Sequence, residues 1–350
     1  MTFLESIASI PSVLERMVKT RSERMEVLER HLQKAESRRV VFIGSGSSYN
    51  SALAACPLFD RVGLDARVVY PNQFTTYTEL VDTEALYVVI SQGGSTKLVY
   101  EAVEKLHAAG CPVCSVTADL EAPIARACDV SIEMGCGEEQ FLYRTVGVDA
   151  TIVTCWQIAL SMALATGAIS TAEASAMDCE LLDVICMLPD RRKQALAWYE
   201  DHKFSLMRCR YLMFAGANDL YSVAREADIK VMEMVPLVTR SFELEEIIHG
   251  PQNAFDGSGG YILFARKGVD AQKAQGIAAF LNASIGFCSI VGEAGSGSRD
   301  CVFQEASERF GLLEYLTIAQ VLAYKLADDH GRDLTRKLNA GINDFVSKVL

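Results

Sequence analysis

Arg39-Val40-Val41-Phe42-Ile43-Gly44-Ser45-Gly46-Ser47-Ser48 is the stretch that decides the fold of this chain. Arg39 to Ile43 is a short, β-branched apolar run that stops at a glycine. That is the pattern of a strand buried on both faces, as in a parallel sheet. The small residues after it read as a turn. Ser51 to Phe59 then takes up helical spacing.

The same alternation continues on either side of this unit. Arg67 to Tyr70, Leu86 to Ile90, Pro112 to Thr117 and Asp129 to Glu133 read as strands, and Lys97 to Ala109 and Ala122 to Ala127 as helices. Strands alternating with helices predict βαβ units and a parallel sheet. Residues 150–200 are mostly helical in pattern. At Leu212-Met213-Phe214-Ala215-Gly216-Ala217-Asn218-Asp219 the opening motif returns as strand, small-residue turn and helix. A return after about half the chain marks an internal repeat of a whole α/β domain. Leu237 to Phe242, Tyr261 to Phe264 and Gly286 to Val291 supply further strands, and Gln304 to Ala327 a helix. The expected organisation is an α/β chain of two tandem domains, each a parallel sheet flanked by helices. A helical segment spans 1–34, the first domain 35–168, a helical connector 169–205, the second domain 206–330 and a tail 331–350.

Composition narrows the function. The chain has 350 residues, half of them apolar, and a formal charge of -12. That balance argues against nucleic acid or an anionic membrane surface as the main partner. The 11 cysteines are scattered and odd in number, which fits free thiols in a reducing cytoplasm. Cys111-Pro112-Val113-Cys114 has CxxC spacing but sits in a strand-like run, so core thiols are expected rather than a metal or redox site. The apolar stretch Ile152 to Ala165 is too short for a membrane span and carries Gln157, so a buried helix is expected there. Met1-Thr2-Phe3-Leu4-Glu5 is amphipathic and acidic, unlike a secretory leader.

Two loops point to an anionic small molecule. Gly44-Ser45-Gly46-Ser47-Ser48 and Ser91-Gln92-Gly93-Gly94-Ser95-Thr96 each follow a buried strand and open a helix. Such turns offer backbone N–H groups and a positive helix end to a phosphate. Ser47, Ser48, Ser91, Gln92 and Thr96 are the candidate side-chain donors, each bond to a charged group being worth about 1.5–3 kcal/mol. The loops lack the spacing of dinucleotide or nucleoside-triphosphate motifs.

The candidate chemistry lies further on. Lys230 and Glu233, three apart, share one face of a helix. His249 opens His249-Gly250-Pro251, which reads as a loop. A carboxylate on a helix and a histidine on a loop make a plausible proton-transfer pair.

These motifs resemble the sugar isomerase (SIS) domain family, in particular the isomerase half of glucosamine-fructose-6-phosphate aminotransferase and the fructosamine-6-phosphate deglycases. Gly46-Ser47-Ser48-Tyr49 and Ser91-Gln92-Gly93-Gly94-Ser95-Thr96 match the family's phosphate loops, with Gly93 where the family has a serine. Lys230-x-x-Glu233 and Glu246-x-x-His249-Gly250-Pro251 match its second-domain pattern. The resemblance implies two tandem SIS domains and a phosphorylated sugar or amino sugar as substrate. It implies Glu233 as the base acting between C1 and C2, and His249 as the ring-opening group reaching in from a neighbouring subunit of a homodimer or larger homo-oligomer. Lys230, Glu246 and Glu139 border the implied pocket. The family's C-terminal lysine aligns with Arg336, and Lys337 is one position off, which favours a reaction without a lysine imine. The implied activity is deglycation of a ketosamine 6-phosphate to an aldose 6-phosphate and an amine, without metal or organic cofactor. Sugar-phosphate isomerisation or amination, and a catalytically silent phosphosugar sensor, are the alternatives.

Overall fold

A computed structural model describes residues 2–32, 37–139 and 141–350. The boundary expected at residue 34 lies outside them. Helices α1 (Phe3–Lys19) and α2 (Arg21–Leu32) come first. The first sheet takes β1 (Arg39–Ile43), β2 (Asp65–Val69), β3 (Leu86–Ile90), β4 (Val113–Thr117) and β5 (Val130–Glu133), in the order β2-β1-β3-β4-β5. Its connections include α3 (Ser47–Arg61), α4 (Lys97–Ala108) and α5 (Pro123–Ala127), with α6 (Val146–Ala165) following β5. Helix α7 (Thr171–Met207) leads to the second sheet, β6 (Tyr211–Gly216), β7 (Val238–Glu243), β8 (Gly259–Phe264) and β9 (Phe287–Val291), in the order β7-β6-β8-β9. Helices α8 (Asp219–Met234), α9 (Ala271–Ser284) and α10 (Leu312–Asp329) complete it.

Every strand pair is parallel. β3, β4, β8 and β9 are buried at each of their residues, as a sheet covered on both faces requires. Each fully buried Val, Leu, Ile or Phe contributes about 1.5–3 kcal/mol, so these continuous runs specify the strands. In both sheets the strand order reverses beside the first strand, between β1 and β3 and between β6 and β8. The crevice at the carboxyl ends there is where open α/β sheets bind ligands.

The chain divides into two compact units. One holds residues 12–179 and 336–350, the other holds 180–335 together with the residues through Pro11. Helix α7 passes from one unit to the other between Cys179 and Glu180, and the tail returns to the first unit at Arg336.

Three features differ from the sequence reading. Helix α6 starts at Val146 and is 20 residues long, enough in length and apolarity to cross a membrane. It is nonetheless buried along nearly all its length, and Gln157 within it donates to the Met17 carbonyl at 2.8 Å and accepts from Arg24 Nε at 3.2 Å. It is a core helix with its one amide satisfied. The helix expected from Gln304 begins instead at Leu312. The buried Glu314 carboxylate accepts the Ala306 N–H at 2.7 Å and Arg191 Nε at 2.6 Å, and Arg191 also donates to the Gln304 carbonyl at 2.7 Å. These bonds hold residues 304–306 in a loop. A π-helical turn, Gln73–Tyr77, was not foreseen; Lys105 Nζ secures it through the carbonyls of Phe74, Thr75 and Thr78.

At the carboxyl ends of β6 and β8 a cavity of about 580 Å³ opens, lined in part by Asn218, Arg266, Glu293 and Glu305. Arg266 is shared by Asp219 and Glu305. One guanidinium cannot balance two buried carboxylates with Glu293 close by. Burial first, with Glu293 and Asp219 added, therefore lifts the Glu305 carboxyl from 4.5 to about 7 against the pull of Arg266. A carboxyl with a raised folded pKa holds its proton in the native state after the unfolded chain has released it, so stability falls as pH rises through this interval. The unfolding midpoint of the 180–335 unit is expected to drop between about pH 4.5 and pH 7 and to level off above that, and Glu305→Gln to flatten that drop. Calorimetric scans of both proteins across this range check it. An unchanged slope in the variant would assign the dependence to other groups.

Candidate active site

The first loop joins β1 to α3. Gly46, immediately before α3, has φ 58° and ψ −129°, a conformation natural to glycine and costly to other residues. Asn218, before α8 in the second unit, has φ 53° and ψ −126°. The repeat read from sequence thus extends to the backbone angles of the turn. Ser47 and Ser48 occupy the first turn of α3, whose opening N–H groups are the anion-binding end of a 15-residue helix.

The second loop joins β3 to α4. β1 and β3 are neighbours in register, Ile43 opposite Val89, so both loops leave the same edge of the sheet side by side. Ser91 Oγ and Thr96 Oγ1 are 2.9 Å apart, which fixes two of the expected donors together. Gly94 has φ 61°, and a Cβ on it would fall 2.2 Å from the Cβ of Ala122, so only glycine lets this loop pack on the turn after β4. Gly93 is exposed, and nothing lies within 4 Å of where its Cβ would be. The serine hydroxyl absent here leaves open space rather than a clash. The Gln92 amide turns to Glu139, with Nε2 at 2.6 Å from Glu139 Oε2. Glu139 also accepts the Thr145 N–H at 2.8 Å and the Gly147 N–H at 3.2 Å, anchoring the start of α6. The tail reaches the same loop: Lys97 N–H donates to the Lys348 carbonyl at 3.1 Å, and Leu350 N–H to the Ser95 carbonyl at 2.9 Å. Lys337 is exposed on that tail, while the neighbouring Arg336 carbonyl accepts the Tyr143 hydroxyl at 3.3 Å. Ser47, Ser48, Ser91, Gln92, Thr96, Glu139 and Lys337 therefore all belong to the first unit.

The remaining candidates belong to the second. Lys230, Glu233 and Glu226 lie on α8. The Lys230 ammonium sits 3.4 Å from Glu226 and 3.2 Å from Glu233. Its side chain is 5% exposed and that of Glu226 3%, whereas Glu233 is 42% exposed. Of the three, only Glu233 can meet a ligand. Burial alone would lower the Lys230 pKa, but the two carboxylates outweigh it and raise it. Lys230 is thus a fixed positive charge that orients Glu233, and not a nucleophile, which would need a depressed pKa. Lys203, a conceivable partner for Glu233, pairs with Asp329 instead, at 2.8 Å.

His249 follows the short turn Glu246–Ile248, and Glu246 is exposed at its start. His249 Nε2 is 2.9 Å from Glu245, whose carboxylate also pairs with Lys273. Lys273 first, and His249 after it, hold Glu245 below the usual carboxylate range. Among the described residues no hydrogen bond joins His249 to Glu233.

Residues 33–166 match the SIS domain model. A glutamine–fructose-6-phosphate aminotransferase (isomerizing) from Tropheryma whipplei is 26% identical over 86% of this chain and 50% of its own length. The chain spans between about a third and a half of the curated relatives it matches. Among solved structures, a candidate phosphosugar isomerase from Clostridium difficile superposes with a TM-score of 0.92 at 21% identity, over 100% of this chain and 99% of the other. The C-terminal domain of glucosamine-fructose-6-phosphate aminotransferase from Francisella tularensis gives 0.87 at 16%, over 96% and 98%. At such identities the structural likeness speaks for the fold.

Proposed function

We propose, on the match of residues 33–166 to the SIS domain model, that this chain is a phosphosugar-processing enzyme that deglycates a ketosamine 6-phosphate. The observation that carries the chemistry is Glu233: a half-exposed carboxylate held by a buried lysine that stays charged. The phosphate sits at the paired loops after β1 and β3, on Ser47, Ser48, Ser91 and Thr96 with the helix N–H groups. His249 assists opening of the sugar ring. Glu233 takes the proton from C1 of the open-chain ketosamine, giving an enaminol, and the proton is returned at C2. The product is an imine at C1. Water adds to that imine and the amine departs, leaving an aldose 6-phosphate. Proton transfer by a placed group is worth about 10²–10⁴-fold in rate. Arg336, where a lysine would be needed for an enzyme-bound imine, fits this course, because an arginine stays protonated.

The experiment is to incubate the protein with fructosamine 6-phosphates of several amino acids and, separately, with fructose 6-phosphate with and without ammonia, following aldose 6-phosphate. Release from a ketosamine is expected. Turnover of fructose 6-phosphate alone would replace deglycation by isomerisation, and binding without any turnover would make the protein a sensor.

His249 acts, in this proposal, on the site of a second copy. Among the described residues His249 bonds to Glu245 and not to Glu233 of its own chain, which is compatible with that reading. Light scattering after gel filtration is expected to show a dimer or larger assembly. Inactive His249→Ala and Glu233→Gln proteins are expected to regain activity when mixed, since one site in the mixed dimer has both groups. A stable, active monomer would remove the shared site.

A further inference from the structure

Gln92 stands where a phosphate donor is expected, yet its amide is already committed. Nε2 lies 2.6 Å from Glu139 Oε2 and 3.6 Å from Cys136 Sγ. A carboxylate accepts, so the amide end facing Glu139 is its NH₂. Glu139 is itself held by the Thr145 and Gly147 N–H groups. Gly147 closes the other side: a Cβ there would lie 2.3 Å from Gln92 Oε1 and 2.6 Å from its Cδ and Nε2. The amide is packed on bare backbone, with its two N–H groups aimed at protein acceptors. The carbonyl oxygen is the polar atom left to meet a ligand. A carbonyl oxygen repels phosphate oxygens and accepts from a hydroxyl.

We infer that Gln92 accepts a hydrogen bond from a hydroxyl of the bound sugar instead of donating to its phosphate, and that Glu139 is the positioning residue that fixes this direction. The inference deepens the sugar-phosphate reading of the loops and rests on it. It leaves the phosphate to Ser47, Ser48, Ser91, Thr96 and the helix N–H groups, and gives the site a test for the sugar that inorganic phosphate cannot satisfy.

Titration calorimetry of the full chain with fructose 6-phosphate and with inorganic phosphate separates the two roles. Gln92→Leu is expected to weaken fructose 6-phosphate about tenfold, the value of one ordinary hydrogen bond, and to change phosphate affinity less than about twofold. Glu139→Gln, whose new amide can donate as well as accept, frees the Gln92 amide to turn. It is expected to weaken the sugar phosphate and spare or improve phosphate. Gly147→Ala pushes the same amide from outside the loop and is expected to give the pattern of Gln92→Leu. Circular dichroism of each variant verifies the fold. Equal losses for both ligands in Gln92→Leu, or no loss for either, would overturn the inference while leaving the sugar-phosphate reading intact. Wild-type protein that binds phosphate but not fructose 6-phosphate would overturn that reading and the inference with it.

Discussion

Glu233→Gln is expected to lower turnover of the ketosamine phosphate by about 10²–10⁴-fold, the range of a lost general base. Affinity for the substrate is expected to stay within about threefold, because the proposed phosphate donors Ser47, Ser48, Ser91 and Thr96 are unchanged. The amide is isosteric and its carbonyl can still accept from Lys230, now 3.2 Å from the Glu233 carboxylate. Only the capacity to take a proton goes. Since the side chain is 42% exposed, stability should move by less than about 1 kcal/mol, the scale of a surface pair. Steady-state kinetics beside calorimetric binding separates the two effects. A variant with near-normal turnover would remove Glu233 as the base and return the site to a binding role.

Lys230→Met is expected to act through the fold. The ammonium lies between Glu226 and Glu233 with almost no solvent, and Glu226 is as buried as the lysine. Taking one partner from a buried ion pair costs about 3–5 kcal/mol, because a charge is left behind in a dry place. For a unit of this size that is roughly 6–20 °C in unfolding midpoint. The double variant Lys230→Met with Glu226→Gln also removes the buried negative charge and is expected to recover part of the loss. Its activity should remain low, since Glu233 has lost the group that orients it. Urea unfolding of the single and double variants measures this. A single variant within about 1 kcal/mol of wild type would show that Lys230 does not hold the charge balance of α8.

Much of the architecture was legible because its signals are local. The unbroken run Leu86 to Ile90 became β3 residue for residue, and Gly44 and Gly216 mark where two strands give way to helices. The repeat was visible because the same punctuation occurs twice. The start of α10 was not legible: the pattern from Gln304 reads as helix, but a hydrogen bond from Arg191, over a hundred positions earlier, to the Gln304 carbonyl and one from the Ala306 N–H to Glu314 hold 304–306 in a loop. The site divides in the same way. Lys230 and Glu233 could be placed on one helix face by spacing alone. That Lys230 is sealed off while Glu233 is open depends on what packs over α8, which spacing does not encode. Gln92 was grouped with the phosphate donors by its place in the loop. Its partner Glu139 lies 47 positions away, and only folding sets the direction of the amide.

The division of the chain into units bears on the order in which it can mature during synthesis. The residues through Pro11 emerge ahead of 12–179 but belong with 180–335, and 336–350 emerge after 180–335 but belong with 12–179. At about 5–20 residues per second, the opening segment waits roughly 10 to 30 seconds for the start of its own unit. The 12–179 unit stays unfinished until residues 336–350 emerge, so the strap beside Ser95 and Lys97 is laid late on a loop proposed to hold substrate. Each unit needs a piece of chain from beyond the other, and the unit begun first, 12–179, is finished only after all of 180–335 has been made.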